Sequence, residues 1–345
     1  MRRILEGLSE RIQLCDNLGQ LRALRDQVQE KLRDCLLFTD PVDWYRMANN
    51  CQDWLIQHAI RLAELDVYRE AGAPPAGSYA FIVLGSAGRM EQTLWSDQDN
   101  GLIYSSTDEA AKNYYRKLSI TIEHALKQIG YPPCEGEVIT SNEKWRMSIA
   151  EWKATLAEWF EDGAWENVRQ LLIMADARVI YGDTGLLDQL RAEYLDRVSQ
   201  RADIIALMLR NTLRHKVVLG PLGQLIRESY GEDAGGFDMK YGAYLPMVNA
   251  IRLLAIRHHI TATSTHARLE ALRSQLGHAK VDRIRGAFIH IMKLRAMTPY
   301  QLTPEGYYAT RGKLRSQDLT KPVIAKLKLS LHVGEELQRY IRKLQ

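Results

Sequence analysis

The sequence contains no run of the roughly 18 uninterrupted apolar residues that a membrane-spanning helix needs. Its start, MRRILEGLSERIQ, threads charges through the apolar positions instead of gathering them into a leader-type core. A membrane partner is not expected, and the expected location is the cytoplasm. Cysteine is scarce: the four residues Cys15, Cys35, Cys51 and Cys134 lie far apart and form neither a CxxC pair nor a Cys/His cluster. That spacing argues against a zinc site or a disulfide framework and leaves buried thiols. His258 and His259 are neighbours, and neighbours on a helix point to different sides, so they are not read as a metal pair. There is no internal repeat and no low-complexity tract, which removes solenoids and disordered arrays from consideration. Basic residues come singly, with no basic run and little aromatic interleaving, so nucleic acid is not the expected partner.

What remains is an ordinary globular composition. The 345 residues are 46% hydrophobic and 26% charged, enough for two or three domains. The net charge of +4 hides an asymmetry: residues 1 to 185 hold 20 Lys/Arg against 28 Asp/Glu, and residues 186 to 345 hold 26 against 14. A basic half can attract nucleic acid, a triphosphate or an acidic protein, or it can simply be a solvated helical surface.

Along the chain, Leu14, Leu18, Leu21, Leu24, Val28 and Leu32 recur at helical spacing, and Pro41 after Thr39-Asp40 is placed to open a further helix through Trp44, Trp54, Ile60 and Leu65. The run Ala71-Gly72-Ala73-Pro74-Pro75-Ala76-Gly77 breaks the pattern and marks a boundary. Beyond it, Ala80 to Leu84 reads as a short buried strand and Gly101 to Tyr104 as a second. Ser106-Thr107-Asp108 would cap a helix with one apolar stripe from Ala111 to Ile129, and Glu137 to Thr140 would be a third strand. Trp145, Ile149, Trp152, Leu156 and Trp159 step by four and three, the spacing of a buried helix face rather than of a base-stacking platform. From Leu186 onward nearly every segment has helical period, as in a bundle.

The segment with chemistry in it is Gly85-Ser86, followed eleven residues after the serine by Asp97-Gln98-Asp99. A strand that ends in Gly-Ser exposes backbone N–H groups that suit phosphate oxygens, and the serine hydroxyl adds a donor. Two carboxylates one residue apart on an extended segment point to the same side, where both reach one hard divalent cation. Phosphoryl and nucleotidyl transfer need such an arrangement, because the triphosphate must be neutralised and oriented for in-line attack. The cofactor expected is Mg2+ or Mn2+, with a nucleoside triphosphate as substrate. Arg89 is placed to steady phosphate oxygens with its planar fork, so the nucleotide-binding set reads Gly85, Ser86, Gly88 and Arg89. A third carboxylate usually completes a two-metal site, and simple topology would take it from Glu137.

These residues also resemble a family. GSAGRMEQTLWSDQDNGLIY is similar to the signature of bacterial nucleotidyltransferase-domain proteins that carry a helical substrate-binding domain. They are related to the N-terminal domain of the PII-protein uridylyltransferase and, more distantly, to the glutamine synthetase adenylyltransferase. Pro133-Cys134-Glu135-Gly136, Ser141-Asn142, Trp145 and Trp152, Asp176-x-Arg178-x-x-Tyr181-Gly182-Asp183, Phe237-Asp238-Met239-Lys240 and Ala250-x-Arg252-Leu253-Leu254 extend the likeness through most of the chain. The resemblance implies an α+β fold: a small mixed sheet with helices, flanked by N-terminal helices (1–75, sheet domain 76–185) and a C-terminal helical domain (186–345). It implies that Gly85 and Ser86 bind phosphate, that Asp97 and Asp99 hold the metal, and that Asp176 is the third acid, leaving Asp176 and Glu137 as alternatives. It also implies transfer of a nucleoside monophosphate to a hydroxyl, with a protein as the acceptor. The regulatory modules that accompany relatives are not expected within these 345 residues. A nucleotide-binding regulator without turnover and a small-molecule-modifying transferase are the competing expectations.

Overall fold

The computed structural model describes residues 7–212, 219–220, 223–304 and 306–344. They fall into two compact units, Met1–Glu161 with Asp176–Tyr194 and Leu302–Ala309, and Asp162–Ala175 with Leu195–Gln301 and Thr310–Gln345. Among the described residues no helix is long and apolar enough to cross a membrane.

The first unit opens with helices α1 (Leu8–Gln13), α2 (Leu18–Cys35) and α3 (Pro41–Ala71). In α2 the buried positions are Leu21, Leu24, Arg25, Val28, Gln29 and Leu32, one face at helical period, and Asn17 caps the start by accepting from the Gln20 N–H. Asp40 caps α3 by accepting from the Val42 and Asp43 amides, Pro41 occupies the first turn, and Gly72 at φ 78° closes the other end. The Trp44 indole donates to the Leu32 carbonyl, tying α3 to α2.

The sheet has the order β3-β2-β1-β4, from β1 (Tyr79–Val83), β2 (Asn100–Tyr104), β3 (Arg146–Ser148) and β4 (Arg178–Gly182). The central strand β1 runs antiparallel to β2 and β4, and β2 runs parallel to β3, so the sheet is mixed. Between β1 and β2 lies a single helical turn, α4 (Gly85–Gly88). After β2, α5 (Glu109–Gln128) is capped by Asp108, which accepts from Ala111 N, and buries Ala111, Tyr115, Leu118, Ile122 and Leu126. Helix α6 (Ile149–Asp162) follows β3.

Two expectations of local structure fail. Glu137–Thr140 is not a strand: Glu137 turns the chain at φ 55°, and the Thr140 N–H is taken by the side-chain oxygen of Asn100 instead of a ladder partner. The third strand is the three-residue β3, and the start of the tryptophan stripe lies in the short 3-10 turn Glu143–Trp145 just before it. Trp145 precedes the helix, which begins only at Ile149. The three rings nevertheless form one buried cluster, with Trp145 5.9 Å from Trp152 and both 6.2 Å from Trp159. The Trp152 indole donates to the Leu102 carbonyl on β2. Core packing is therefore the role of the stripe.

The second unit is helical, as the sequence period indicates. It contains α7 (Trp165–Met174), the end of α8 (Thr184–Gln200), α9 (Ile204–Thr212), α10 (Leu245–Arg257), α11 (Thr265–Ala271), α12 (Arg273–Leu276), α13 (His278–Ala296) and α14 (Lys321–Arg342). Helix α10 is buried almost all round, from Pro246 to Ile256, and packs against α9, α11 and α14. A two-residue pairing of Phe237–Asp238 with Lys313–Leu314 is its small sheet element.

Candidate active site

The end of β1 and the start of β2 meet where the Leu84 N–H donates to the Asp99 carbonyl, 2.9 Å away. That bond sets the Gly-Ser turn beside the carboxylate segment. Gly85 sits at φ 52°, a backbone region that glycine enters without strain. A Cβ built there would fall 2.3 Å from the Asp99 carboxylate oxygen Oδ2. Glycine is therefore required twice, by its backbone and by the close approach of Asp99. The turn closes by Gly88 N–H to Leu84 O and Arg89 N–H to Gly85 O, which leaves the first amides of the turn, Gly85, Ser86 and Ala87, without an intrahelical acceptor. Asp99 is half-buried and Asp97 exposed.

The residues from Arg89 to Asp99 have no regular secondary structure, so side chains satisfy their backbone. Asn49 donates to the Gln92 carbonyl and accepts from the Gln92 N–H, and Gln52 donates to the Thr93 carbonyl. Gln98, between the two acids, is pinned through its N–H to Pro132 O at 2.9 Å and through its side chain to Tyr131 O at 2.8 Å. Asn100 donates to the Gln98 side chain and accepts from Thr140 N–H. The polar residues interleaved with the acids are thus the frame that aims them. The sequence signal for that role is their position between and directly after the carboxylates.

Three expected site residues make other contacts in the structure. Arg89, assigned to phosphate, is 3% exposed; its Nε donates to Glu91 and its Nη1 to Asp176. Asp176, assigned to a metal, is fully buried in that ion pair. A charge taken out of water is held by a partner, and here each meets the need of the other. Gly88, expected at phosphate, instead makes room for backbone: a Cβ would lie 2.0 Å from the Asp176 carbonyl oxygen. Arg178, two residues on, grips both Asp53 oxygens at 2.8 and 2.9 Å and donates to the Ala87 carbonyl at 2.9 Å. Burial pushes the Asp53 carboxyl up and the Arg178 hydrogen bond opposes that rise. The Asp176-x-Arg178 segment therefore buttresses the turn from beneath.

Glu137 is exposed, and among the described residues no group of three or more His, Cys, Asp or Glu side chains is placed to hold a metal. Asp97 and Asp99 could hold one hard cation, whose other oxygen ligands would come from water or phosphate. Cys134, expected as a buried thiol, is half-buried and a neighbour of the acids. Burial pushes Cys134 up to about 12, and the negative charges of Asp99 and Asp97 add to the rise. Its Sγ accepts from the Gly136 N–H at 3.3 Å.

Comparison with known proteins places both units. Residues 26–166 match the family described as "Putative nucleotidyltransferase DUF294". Residues 202–344 match its companion, "Putative nucleotidyltransferase substrate binding domain". The chain is also similar to the bifunctional glutamine synthetase adenylyltransferase/adenylyl-removing enzyme of Xanthomonas campestris pv. campestris (strain B100), 24% identical over 255 residues. That likeness covers 67% of this chain and 26% of the relative, so the chain spans about a quarter of the length of the curated protein it matches.

Proposed function

Because the chain belongs to the DUF294 nucleotidyltransferase family, with the catalytic-type and substrate-binding regions both matched, we propose that it moves a nucleoside monophosphate from a triphosphate to a hydroxyl on a protein, in a metal-dependent reaction. The observation that carries this reading is the contact between the Gly85 turn and the Asp99 carboxylate, because phosphate donors and metal ligand must share one small space. In the reaction the acceptor oxygen bonds to the α-phosphorus, the bond from that phosphorus to the β-phosphate oxygen breaks, pyrophosphate leaves, and the hydroxyl proton passes to water. A divalent cation held by Asp97 and Asp99 would neutralise triphosphate charge and polarise the reacting phosphorus. The chain's own contribution is placement. Gly85, Ser86 and Ala87 present amides to phosphate, Arg178 fixes the turn through Ala87, and Gln98 fixes the acids. The protein acceptor is supported by the relative, whose name records adenylylation of glutamine synthetase, and by the basic helical half.

A second reading, nucleotide binding without turnover, is favoured by one observation: Asp176 is committed to Arg89 and no third carboxylate joins the pair among the described residues. One experiment separates the two. The protein is incubated with Mg2+, α-labelled ATP or UTP and cell lysate, and both protein-bound label and pyrophosphate are measured. Transfer that falls by at least ~10³-fold in Asp97→Ala/Asp99→Ala supports the enzyme, whereas triphosphate binding with no pyrophosphate supports the regulator. Transfer that survives in the double variant rules out the assigned site, and the preferred label identifies the base.

A further inference from the structure

Arg25, on α2 and just outside the matched family region, is a cation shut away from solvent at 1% exposure. Its carboxylate contact is a long one, 3.7 Å from Nη1 to Asp26, and Nε and Nη2 have no hydrogen-bond partner among the described residues. Instead, its guanidinium carbon lies 4.4 Å from the ring centroid of Tyr131 and 5.1 Å from that of Trp95. The turn before Tyr131 closes onto it, since a Cβ on Gly130 would fall 2.6 Å from Nη1. The two rings belong to the two segments that hold the acids. Trp95 stands two residues before Asp97, and the Tyr131 carbonyl receives the Gln98 side chain from between Asp97 and Asp99.

The geometry points to Arg25 as a positioning residue for the Asp97-x-Asp99 pair, acting through Trp95 and Tyr131. Stability alone does not account for the choice of residue. A buried charge with unmet donors costs free energy, and an apolar chain of similar length would fill the same space without that penalty. What a planar cation adds is a flat, charged spacer held between two ring faces, fixing both segments at once. The assignment rests on the reading of Asp97 and Asp99 as metal ligands, and the test keeps the two apart.

Mn2+ binding is followed by the loss of the free-ion paramagnetic resonance signal in the full chain, in Arg25→Met, in Arg25→Lys and in Asp97→Asn/Asp99→Asn, with the melting temperature of each. We expect Arg25→Met to weaken Mn2+ binding about tenfold, the scale of outer-shell losses at metal sites, while its melting temperature falls by no more than ~4 °C. Arg25→Lys recovers part of the loss. If Arg25→Met does not fold, Arg25→Lys carries the test, because an ammonium cannot lie flat between the rings: weakened binding at an unchanged melting temperature supports the assignment. Wild-type affinity in the folded variant overturns it. Where the double asparagine variant loses Mn2+ and Arg25→Met does not, only the Arg25 assignment fails. Where the double variant still binds Mn2+ as the wild type does, the metal reading fails and Arg25 falls with it.

Discussion

Buried charge is handled differently in the two units. Among the described residues every buried carboxylate, Asp53, Glu91 and Asp176, lies in the first unit, and each meets a buried or half-buried arginine: Asp53 meets Arg178, and Glu91 and Asp176 share Arg89. Among the described residues the second unit buries no carboxylate, and the partners of its buried arginines include neutral groups: the carbonyls of Ala262 and Ala175 for Arg268, the side-chain oxygen of Asn249 for Arg252, and the ring of Tyr244 for Arg295. Its ion pairs, such as Arg283 with Glu336 and Arg273 with Asp282, stand at the surface. The difference follows from backbone. Helices satisfy their own N–H and C=O groups, whereas the loop from Arg89 to Asp99 does not, so the first unit recruits charged and amide side chains to hold a functional loop in place.

That contrast breaks most visibly if one like-for-like change is made in each unit. Asp176→Asn removes one partner of a buried pair and leaves Arg89 short of a counter-charge, a loss of about 3–5 kcal/mol. Glu336→Gln removes one partner of an exposed pair, worth about 0.2–1 kcal/mol. Urea titrations of both variants should therefore differ several-fold in midpoint shift. Comparable shifts would show that burial is not what separates the units. A catalytic metal-ligand role for Asp176 predicts the opposite pattern, lost Mn2+ binding at unchanged stability.

Gly88→Ala comes next in size. The added methyl meets the Asp176 carbonyl oxygen and the Val83 carbonyl oxygen, which are backbone and cannot swing aside. Overpacking of this kind costs about 1–3 kcal/mol, and the strained turn carries Ser86 with it. Calorimetric melting should show the loss, while Gly286→Ala on α13, where an added Cβ meets nothing within 4 Å, should hold or raise the melting temperature. Equal losses at the two glycines would remove the tight packing assigned to the turn.

The sequence reveals the parts of this architecture that local rules determine. Helices α2, α3 and α5 appear through their apolar period, α3 and α5 also through Asp40 and Asp108 at their starts, and β1 and β2 through short apolar runs around the motif. The contact of the Gly-Ser turn with Asp99 follows from those two strands pairing. What stayed hidden depends on distant partners. The direction of Arg89 is set by Asp176, 87 positions later, and the identity of the third strand by the Asn100 side chain, which captures Thr140 from 40 positions away. Arg25 looks from the sequence like any charge on a helix, and only the arrival of Trp95 and Tyr131 makes it a buried one.

A smaller effect should come from acid acting on the second unit. His290 on α13 is neutral in the fold, held down to about 4 by burial first and then by the positive charges of Lys326 on α14 and Lys293 on its own helix. The unfolded chain takes up that proton near its ordinary value of 6.5, the folded chain only near 4. The contribution of the neutral ring is therefore fully present above pH 6.5 and is lost as pH falls from 6.5 towards 4. Melting temperatures of the wild type and His290→Leu, compared at pH 7.5 and pH 5, should diverge in favour of the leucine variant at the lower pH, by a few degrees at most because the ring is only half-buried. A gap that stays constant with pH would show that the ring titrates alike in the folded and unfolded states.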